Sequence, residues 1–149
     1  MKNKLTGKAN ITINAPSSEV WEALTTPEII KKYFFGTNAI SDWKVGSPIL
    51  FKGVWEGKHY EDKGTILKVE RNKLFQYEYW SSMSGIEDKP ENYVIVTYEL
   101  SEKNNNTTKL TITQENIPDE KMKEHSEQNW RKVLTDLKKL LEKEPVGSR

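Results

Sequence analysis

Histidine, carboxylate and hydroxyl side chains are the groups of this sequence that would have to carry acid–base, metal or nucleophilic chemistry. The chain has two histidines; His59 is followed by Glu61 and Asp62 in a predicted turn, and His125 stands among glutamates on a predicted solvated helix face. A zinc or iron site needs at least three converging ligands, and neither spacing supplies them. We therefore predict no metal site and no cofactor.

No nucleophile motif is present. The serine-rich segment 81–85 has neither the Gly-x-Ser-x-Gly elbow of hydrolases nor the spacing of a phosphate-binding loop. A buried carboxylate with a raised pKa would be an acid–base candidate. Because the sequence does not show which carboxylate is buried, we name no catalytic residue among those on or beside predicted strands, which are Asp42, Glu56, Glu61, Glu78 and Glu99.

Composition and charge exclude several classes of partner and site. The 23 basic and 22 acidic residues nearly cancel, and only three of the basic residues are arginine, so we expect no nucleic-acid partner. The absence of cysteine excludes disulfides and thiol chemistry. The longest apolar run, 93–96, is four residues against the roughly 20 of a membrane span. With no secretory signal, a cytoplasmic protein is expected.

Hydrophobic periodicity divides the chain into strands, two short helices and one long helix. Alternation over 8–14 predicts a first strand, and Ser17 and Thr26 are suited to cap two short helices, the second of which starts at Pro27 and ends at Gly36. The segment 83–92 is expected to be a mobile loop. Short connections favour an antiparallel meander of six further strands, near 37–42, 48–56, 59–70, 73–81, 92–101 and 107–115.

A long C-terminal helix is predicted over 119–144, capped by Asp119, with 146–149 as a frayed tail. Its single apolar stripe must lie on the sheet. The sequence therefore predicts an α+β fold in which a curved sheet of about seven strands wraps around this helix. We expect one domain over 1–149, with a core of about 8–144. The stripe consists of Met122, Ser126, Trp130, Val133, Leu134, Leu137, Leu140 and Leu141.

The order of the predicted elements and the sequence motifs together resemble the helix-grip superfamily (START-like, Bet v 1-like, SRPBCC). Within this superfamily, the chain resembles the single-domain bacterial type of the activator of heat-shock protein 90 ATPase homologue family. The similarity runs over about 10–142. Its motifs are Ile13-Asn14-Ala15-Pro16, Val20-Trp21, Leu24-Thr25 with Pro27, Asp42-Trp43-Lys44-Val45-Gly46, Gly64-Thr65-Ile66-Leu67, Thr108 to Thr113, and Trp130 with Leu134, Leu137, Lys138 and Leu141. Tyr33, Ser47 and Asn129 depart from the family's usual Trp, Gly and Gly.

Aromatic side chains on the predicted concave face are the most informative group. Phe51 and Trp55 share one strand face with Gly53, whereas the strand 73–81 has aromatic residues on both faces and its orientation stays open. Burying Gln114 without a partner would cost roughly 1–3 kcal/mol, so it needs a protein partner or a ligand.

A sheet wrapped around a helix leaves an apolar hollow, as the resemblance also implies. The alternative for each of these aromatic residues is that it packs in the core and lines no cavity. The residues expected to line a cavity are Tyr33, Phe34, Phe51, Trp55, Tyr60, Trp80, Val96, Tyr98, Gln114, Met122, Asn129 and Trp130.

Three functions follow as expectations. The first is a binding protein for a small lipophilic or aromatic ligand, which would enter past Tyr33, Phe34 and the loop. The second, implied by the resemblance, is interaction with a chaperone and activation of its ATPase. The third, also by resemblance, is a cyclase or hydrolase acting through cavity residues, for which we find no constellation. The sequence is compatible with either a monomer or a homodimer.

Overall fold

Seven strands and three α-helices make up the computed structural model, which describes residues 4–34, 36–81, 85–104 and 106–143, with the backbone alone at Trp55 and Lys143. A 3-10 turn, Pro90–Asn92, lies within the predicted loop. Met83, Ser84 and the tail 146–149 lie outside the described residues. In chain order the elements are β1 (Leu5–Ile13), α1 (Ser17–Thr25), α2 (Pro27–Tyr33), β2 (Asn38–Ser41), β3 (Pro48–Trp55), β4 (Lys58–Glu70), β5 (Leu74–Trp80), β6 (Val94–Asn104), β7 (Thr107–Ile117) and α3 (Glu120–Lys143).

All seven strands belong to one antiparallel sheet in the order β1-β7-β6-β5-β4-β3-β2. Strands β2 to β7 each pair with the next in sequence, as a meander must, and β1 adds to the outer side of β7. The predicted α+β helix-grip fold is confirmed. In the described part of the chain, no helix has both the length and the apolar character that a bilayer crossing requires.

Alternation along the strands gives the sheet one apolar face. On β5 the buried residues are Phe75 and Tyr77, so Tyr79 faces inward with them, and Trp80 faces the opposite side. This settles the orientation of the strand 73–81, where aromatic residues on both faces had left it open. The α3 residues that pack on the inward face are Trp130, Val133, Leu134, Leu137 and Leu141.

The ends of the helices differ in part from the predicted caps. Asp119 caps α3 as predicted, because its Oδ1 accepts a hydrogen bond from the Met122 amide at 2.8 Å. Ser17 is instead the first residue of α1, and its Oγ donates to Glu102 Oε1 on β6 at 2.8 Å. Thr26 precedes α2 without a side-chain cap. Helix α2 ends at Tyr33 rather than at Gly36.

The free edge of β1 is covered by charged side chains of α3. The Lys8 amide donates to Glu127 Oε2 at 3.0 Å, and the Asn14 amide donates to Glu142 Oε2 at 2.8 Å. Lys138 Nζ donates to the Thr12 carbonyl at 2.9 Å. Unpaired edge groups invite pairing with another chain, so these contacts fix the helix and also shield the edge.

These hydrogen bonds favour the ionised carboxylates. The Lys8 amide holds the pKa of Glu127 below its usual value, and the Lys138 ammonium followed by the Asn14 amide does so for Glu142. A lowered folded-state pKa adds stability above the unfolded-state pKa, and this contribution is lost as the pH falls through the folded-state pKa.

The combined substitution Glu127→Gln and Glu142→Gln is expected to lower the free energy of unfolding at pH 7 by about 0.5–1 kcal/mol, a value that allows for solvent screening. Urea unfolding at a series of pH values measures it. The difference between the variant and the wild type should begin to shrink as the pH falls below about 4.3, the ordinary pKa of glutamate, and should vanish below the lowered folded-state pKa values of Glu127 and Glu142. Glu124→Gln, an exposed position on the same helix, is the control. An equal loss in the control would contradict this role of the edge contacts.

Candidate functional site

An aromatic cluster fills the space between the sheet and α3. Phe51 is central to it, since its ring lies 5.8 Å from that of Tyr77 and 6.0 Å from that of Phe34. The Phe34 ring in turn lies 5.8 Å from Trp130 on α3. The aromatic cluster consists of Trp21, Tyr33, Phe34, Trp43, Phe51, Phe75, Tyr77, Tyr79, Tyr98 and Trp130.

The space enclosed by this cluster is an interior void of about 10 Å³. That is close to the minimum needed for one water molecule, so the expected hollow is filled by side chains. Of the eleven predicted cavity residues whose side chains the structure describes, four line the void, namely Tyr33, Phe34, Phe51 and Tyr98. The described residues that line the void are Leu24, Ile30, Tyr33, Phe34, Trp43, Ile49, Phe51, Phe75, Tyr77 and Tyr98.

Phe34 lies at the junction between α2 and the next loop, where its amide donates to the Ile30 carbonyl and its carbonyl accepts from the Thr37 amide, both at 2.9 Å. It follows the last residue of α2, is partly buried, and lies two residues before Gly36, whose φ of 72° is in the left-handed region. Its neighbour Tyr33 is held firmly, because the Tyr33 hydroxyl donates to the Ala23 carbonyl at 2.8 Å. Phe34 therefore stands at the start of a loop, whereas Tyr33 is anchored within α2.

Two tyrosine hydroxyls form a polar pair within the cluster. The Tyr77 and Tyr98 oxygen atoms are 2.9 Å apart, and both residues are buried. Burial raises the pKa of both phenols well above the ordinary value, so both stay protonated at neutral pH.

Four polar side chains converge at one end of the concave face, which we call the polar end: Tyr60, Asp62, Tyr79 and Ser81. Asp62 is 7% exposed and accepts hydrogen bonds from Tyr79 Oη at 2.6 Å and from Ser81 Oγ at 3.1 Å. Burial, followed by the nearby Asp62 carboxylate, raises the pKa of Tyr79. The polar end adjoins the aromatic cluster, because the Tyr79 ring lies 5.7 Å from Phe51.

Tyr60 reaches the polar end over Gly53 of the neighbouring strand. The tight turn at Glu56 and Gly57, both with positive φ, sets a register that pairs Gly53 with Tyr60. A Cβ atom on Gly53 would lie 2.5 Å from the Tyr60 hydroxyl oxygen, so the glycine leaves the space that this ring occupies. The hydroxyl hydrogen-bonds with Thr37 Oγ1.

Gln114 finds its partners within the protein. Its Oε1 accepts hydrogen bonds from Ser126 Oγ and from Trp130 Nε1, both at 2.8 Å. The two donors are one turn apart on α3 and both are buried. The partners of Gln114 Oε1 are therefore side chains of α3, and this oxygen does not need a ligand.

Three predicted residues lie apart from the void. Trp80 faces the outer side of the sheet, where its Nε1 donates to the Ile86 carbonyl at 2.9 Å and Lys63 Nζ lies 5.9 Å from the ring centre. Asn129 is exposed, because one residue along a helix turns the side chain by about 100° from the Trp130 direction. Met122 is half-buried near the start of α3.

Val96 is fully buried in the core, and the side chain of Trp55 lies outside the described residues. Sequence reasoning missed Asp62, Tyr79, Ser81 and Thr37. Alternation from Tyr60 places Asp62 on the same face, but its burial depends on partners from another strand. Within the described ranges, no three histidine or carboxylate side chains lie together as metal ligands would.

Comparisons with known proteins support the fold and the family. The family model described as Activator of Hsp90 ATPase homolog 1-like protein matches residues 14–142. The solution structure of ChR145 from Cytophaga hutchinsonii is 48% identical, with 96% of this chain and 97% of that chain covered and a TM-score of 0.82. No curated protein matches the sequence.

Two more distant structures share the fold. The Aha1 dimer from Colwellia psychrerythraea is 22% identical, covers 96% of this chain and 99% of that chain, and has a TM-score of 0.73. An HSP90 activator from Plasmodium falciparum is 18% identical, covers 92% and 94%, and has a TM-score of 0.71.

The Gln114→Leu substitution is expected to lower the free energy of unfolding by about 2 kcal/mol, because it leaves the Ser126 hydroxyl and the Trp130 indole without their acceptor. Adding Ser126→Ala should recover part of this loss, since one unpaired donor is then removed. Urea unfolding followed by circular dichroism measures both. A loss below about 0.5 kcal/mol, or no recovery in the double variant, would contradict this role of Gln114.

Proposed function

The chain belongs to the Activator of Hsp90 ATPase homolog 1-like family, and from this premise we propose that it binds a small, flat aromatic or lipophilic molecule between the sheet and α3. The observation that carries the proposal is the combination of aromatic walls with a few convergent polar groups. Small-molecule sites in proteins have this composition. A core that served packing alone would have no need of Asp62 beside Tyr79 and Ser81.

The walls suit a flat ring. The Phe34 and Phe51 rings are stacked at an interplanar angle of 14°, whereas Phe34 meets Trp130 edge to face at 77°. An aromatic ligand that takes the place of the Phe34 ring would keep one stacked and one edge-to-face contact. Such contacts contribute about 0.5–1.5 kcal/mol each beyond area burial.

Entry requires the Phe34 side chain to move, because the enclosed void holds about 10 Å³. Rotation of this one side chain at the end of α2 would free roughly the volume of a benzene ring while the sheet stays in place. The ligand then competes with Phe34 for the same walls, so the closed state lowers its apparent affinity by the cost of opening.

The polar end would orient the ligand within the site. The Asp62 carboxylate accepts hydrogen bonds, so a ligand with one N–H or O–H group directed toward it would be preferred over a plain hydrocarbon. The proposed ligand class is therefore an aromatic molecule with a single hydrogen-bond donor.

Binding of phenol, a single aromatic ring with one O–H donor, measured by isothermal titration calorimetry, tests this proposal. The wild type should bind it, and Phe34→Ala should bind it about tenfold more tightly because the cost of displacing the ring is removed. Ile29→Ala is the matched control: Ile29 is also partly buried on α2 but does not line the void. It should bind like the wild type.

Two outcomes would overturn the proposal. Binding by Phe34→Ala without any binding by the wild type would mean that the substitution had made an artificial cavity. Equal effects of Phe34→Ala and Ile29→Ala would mean that general loosening of α2, and not the removal of one ring, admits the probe.

A second candidate function, stimulation of a heat-shock protein 90 ATPase, is favoured by the family and by an outward patch on β2 and β3, in which two apolar side chains flank the Lys52–Glu61 ion pair. Ile40 on β2 and Val54 on β3 are 50% and 52% exposed. Ile40 pairs with Leu50, and Val54 lies four residues further along the same strand face. Exposed apolar side chains on neighbouring strands are suited to a partner protein.

The ATPase rate of a heat-shock protein 90 with an excess of this protein tests the second function. Stimulation by the wild type should fall by more than half in the variant Ile40→Asp with Val54→Asp, because each change places a charge in the patch. Val45→Asp is the control, since Val45 is 62% exposed but lies outside the two strands. No stimulation by the wild type, or an equal fall in the control, would exclude this function for the patch.

A further inference from the structure

A surface groove of about 430 Å³ lies between α1, the loop that follows β2, and the turn between β4 and β5. Its volume falls within the range of about 300–1,000 Å³ that small-molecule sites have. The groove is separate from the interior void, which lies between the sheet and the two short helices, although Trp43 and Phe75 line both. Its lining is Ser18, Glu19, Trp21, Glu22, Thr25, Trp43, Val69, Arg71 and Phe75.

Aromatic and aliphatic side chains form the base of the groove. The Phe75 ring lies 6.2 Å from Trp21 and 6.0 Å from Trp43. Trp43 and Val69 are only partly buried, so they offer apolar surface to a molecule in the groove. This base suits an aromatic or branched aliphatic group.

Trp43 is held in place by an unusual backbone conformation. Its φ of 60° lies in the left-handed region, which a tryptophan rarely adopts. The Trp43 amide donates to Ser41 Oγ at 3.0 Å, and Ser41 Oγ donates to the Pro48 carbonyl at 2.9 Å. Such conformations persist where the surrounding structure enforces them, and they are frequent at binding sites.

Opposite charges stand on the two walls. Glu19 and Glu22 are three residues apart on α1 and therefore point the same way. Arg71 follows β4 on the other wall. Among the described residues, neither carboxylate forms an ion pair, and Arg71 forms none either. The groove thus keeps an acidic and a basic wall apart across an apolar base.

We propose that this groove binds a zwitterionic amino compound with an apolar side chain, such as a free aromatic amino acid. The ammonium group would face Glu19 and Glu22, the carboxylate would face Arg71, and the side chain would lie on Trp43. A simple cation would leave Arg71 without a partner, and a simple anion would meet the two glutamates. A zwitterion is the ligand class whose charges match both walls.

Binding of L-phenylalanine, followed by the indole N–H signal of Trp43 in NMR spectra, tests the proposal. The Trp43→Phe variant identifies that signal by its loss. Phenethylamine, which lacks the carboxylate, and 3-phenylpropanoate, which lacks the ammonium group, are the matched ligands. L-Phenylalanine should bind at least tenfold more tightly than either.

Substitutions on the two walls should show that one wall binds the carboxylate of the ligand and the other binds its ammonium group. Arg71→Gln is expected to lower the affinity for L-phenylalanine about tenfold while leaving phenethylamine unchanged. The variant Glu19→Gln with Glu22→Gln should weaken phenethylamine and L-phenylalanine but not 3-phenylpropanoate. Arg131→Gln, an exposed position on α3, is the control and should change nothing.

Three results would overturn the proposal: equal affinities for the three ligands, equal effects of Arg71→Gln and Arg131→Gln, or no change in the Trp43 signal on addition of L-phenylalanine.

Discussion

The hydrogen bond from the Trp130 indole to Gln114 Oε1 joins the long helix to strand β7 of the sheet. The same indole ring meets Phe34 and Tyr98 edge to face, so one side chain links α3 to the end of α2 and to β6. Burial of the apolar stripe turns one side of α3 toward the sheet, and a polar contact of defined direction then sets the rotation of the helix more narrowly than burial does. The Phe34 and Tyr98 rings, which contact this indole, pack against α3 in that orientation.

Because the curved sheet presents more surface than one helix can cover, large side chains have to fill the remaining space. In the part of the chain that the structure describes, the ten rings of the aromatic cluster do so, and the interior void is about 10 Å³. With such close packing, the rotamers of single side chains determine the width of the void, and the backbone does not. Phe34 stands at the end of α2, whereas Phe51 and Tyr77 stand on paired strands. A rotamer change at Phe34 would therefore open the void from the end of α2, without movement of a strand.

The sequence was sufficient for the features that depend on local periodicity. The stripe that includes Val133, Leu134, Leu137 and Leu141 is buried as predicted, and alternation placed Phe51 inward. The sequence was insufficient where the orientation or the burial of a residue depends on contacts between distant segments. Trp80 and Tyr79 have similar hydrophobic character, and the pairing of Tyr79 with Gly64 and Val94 comes from strands that the local pattern does not contain. Asp62 is buried for the same reason, through hydroxyls of residues 17 and 19 positions away.

The Asp42–Gly46 motif that marks the family has a physical explanation in the loop that follows β2. Gly46 has a φ of 87°, and its amide donates to the Ile66 carbonyl on β4 at 2.8 Å, so the loop is tied to the sheet in a conformation that favours glycine. This tie, together with the Ser41 hydroxyl, holds Trp43 against Phe75. One tryptophan is then a wall of the interior void on one side and the base of the surface groove on the other. A substitution in this loop should therefore affect core packing and the groove together, whereas Arg71 or Phe34 each belongs to one of them alone.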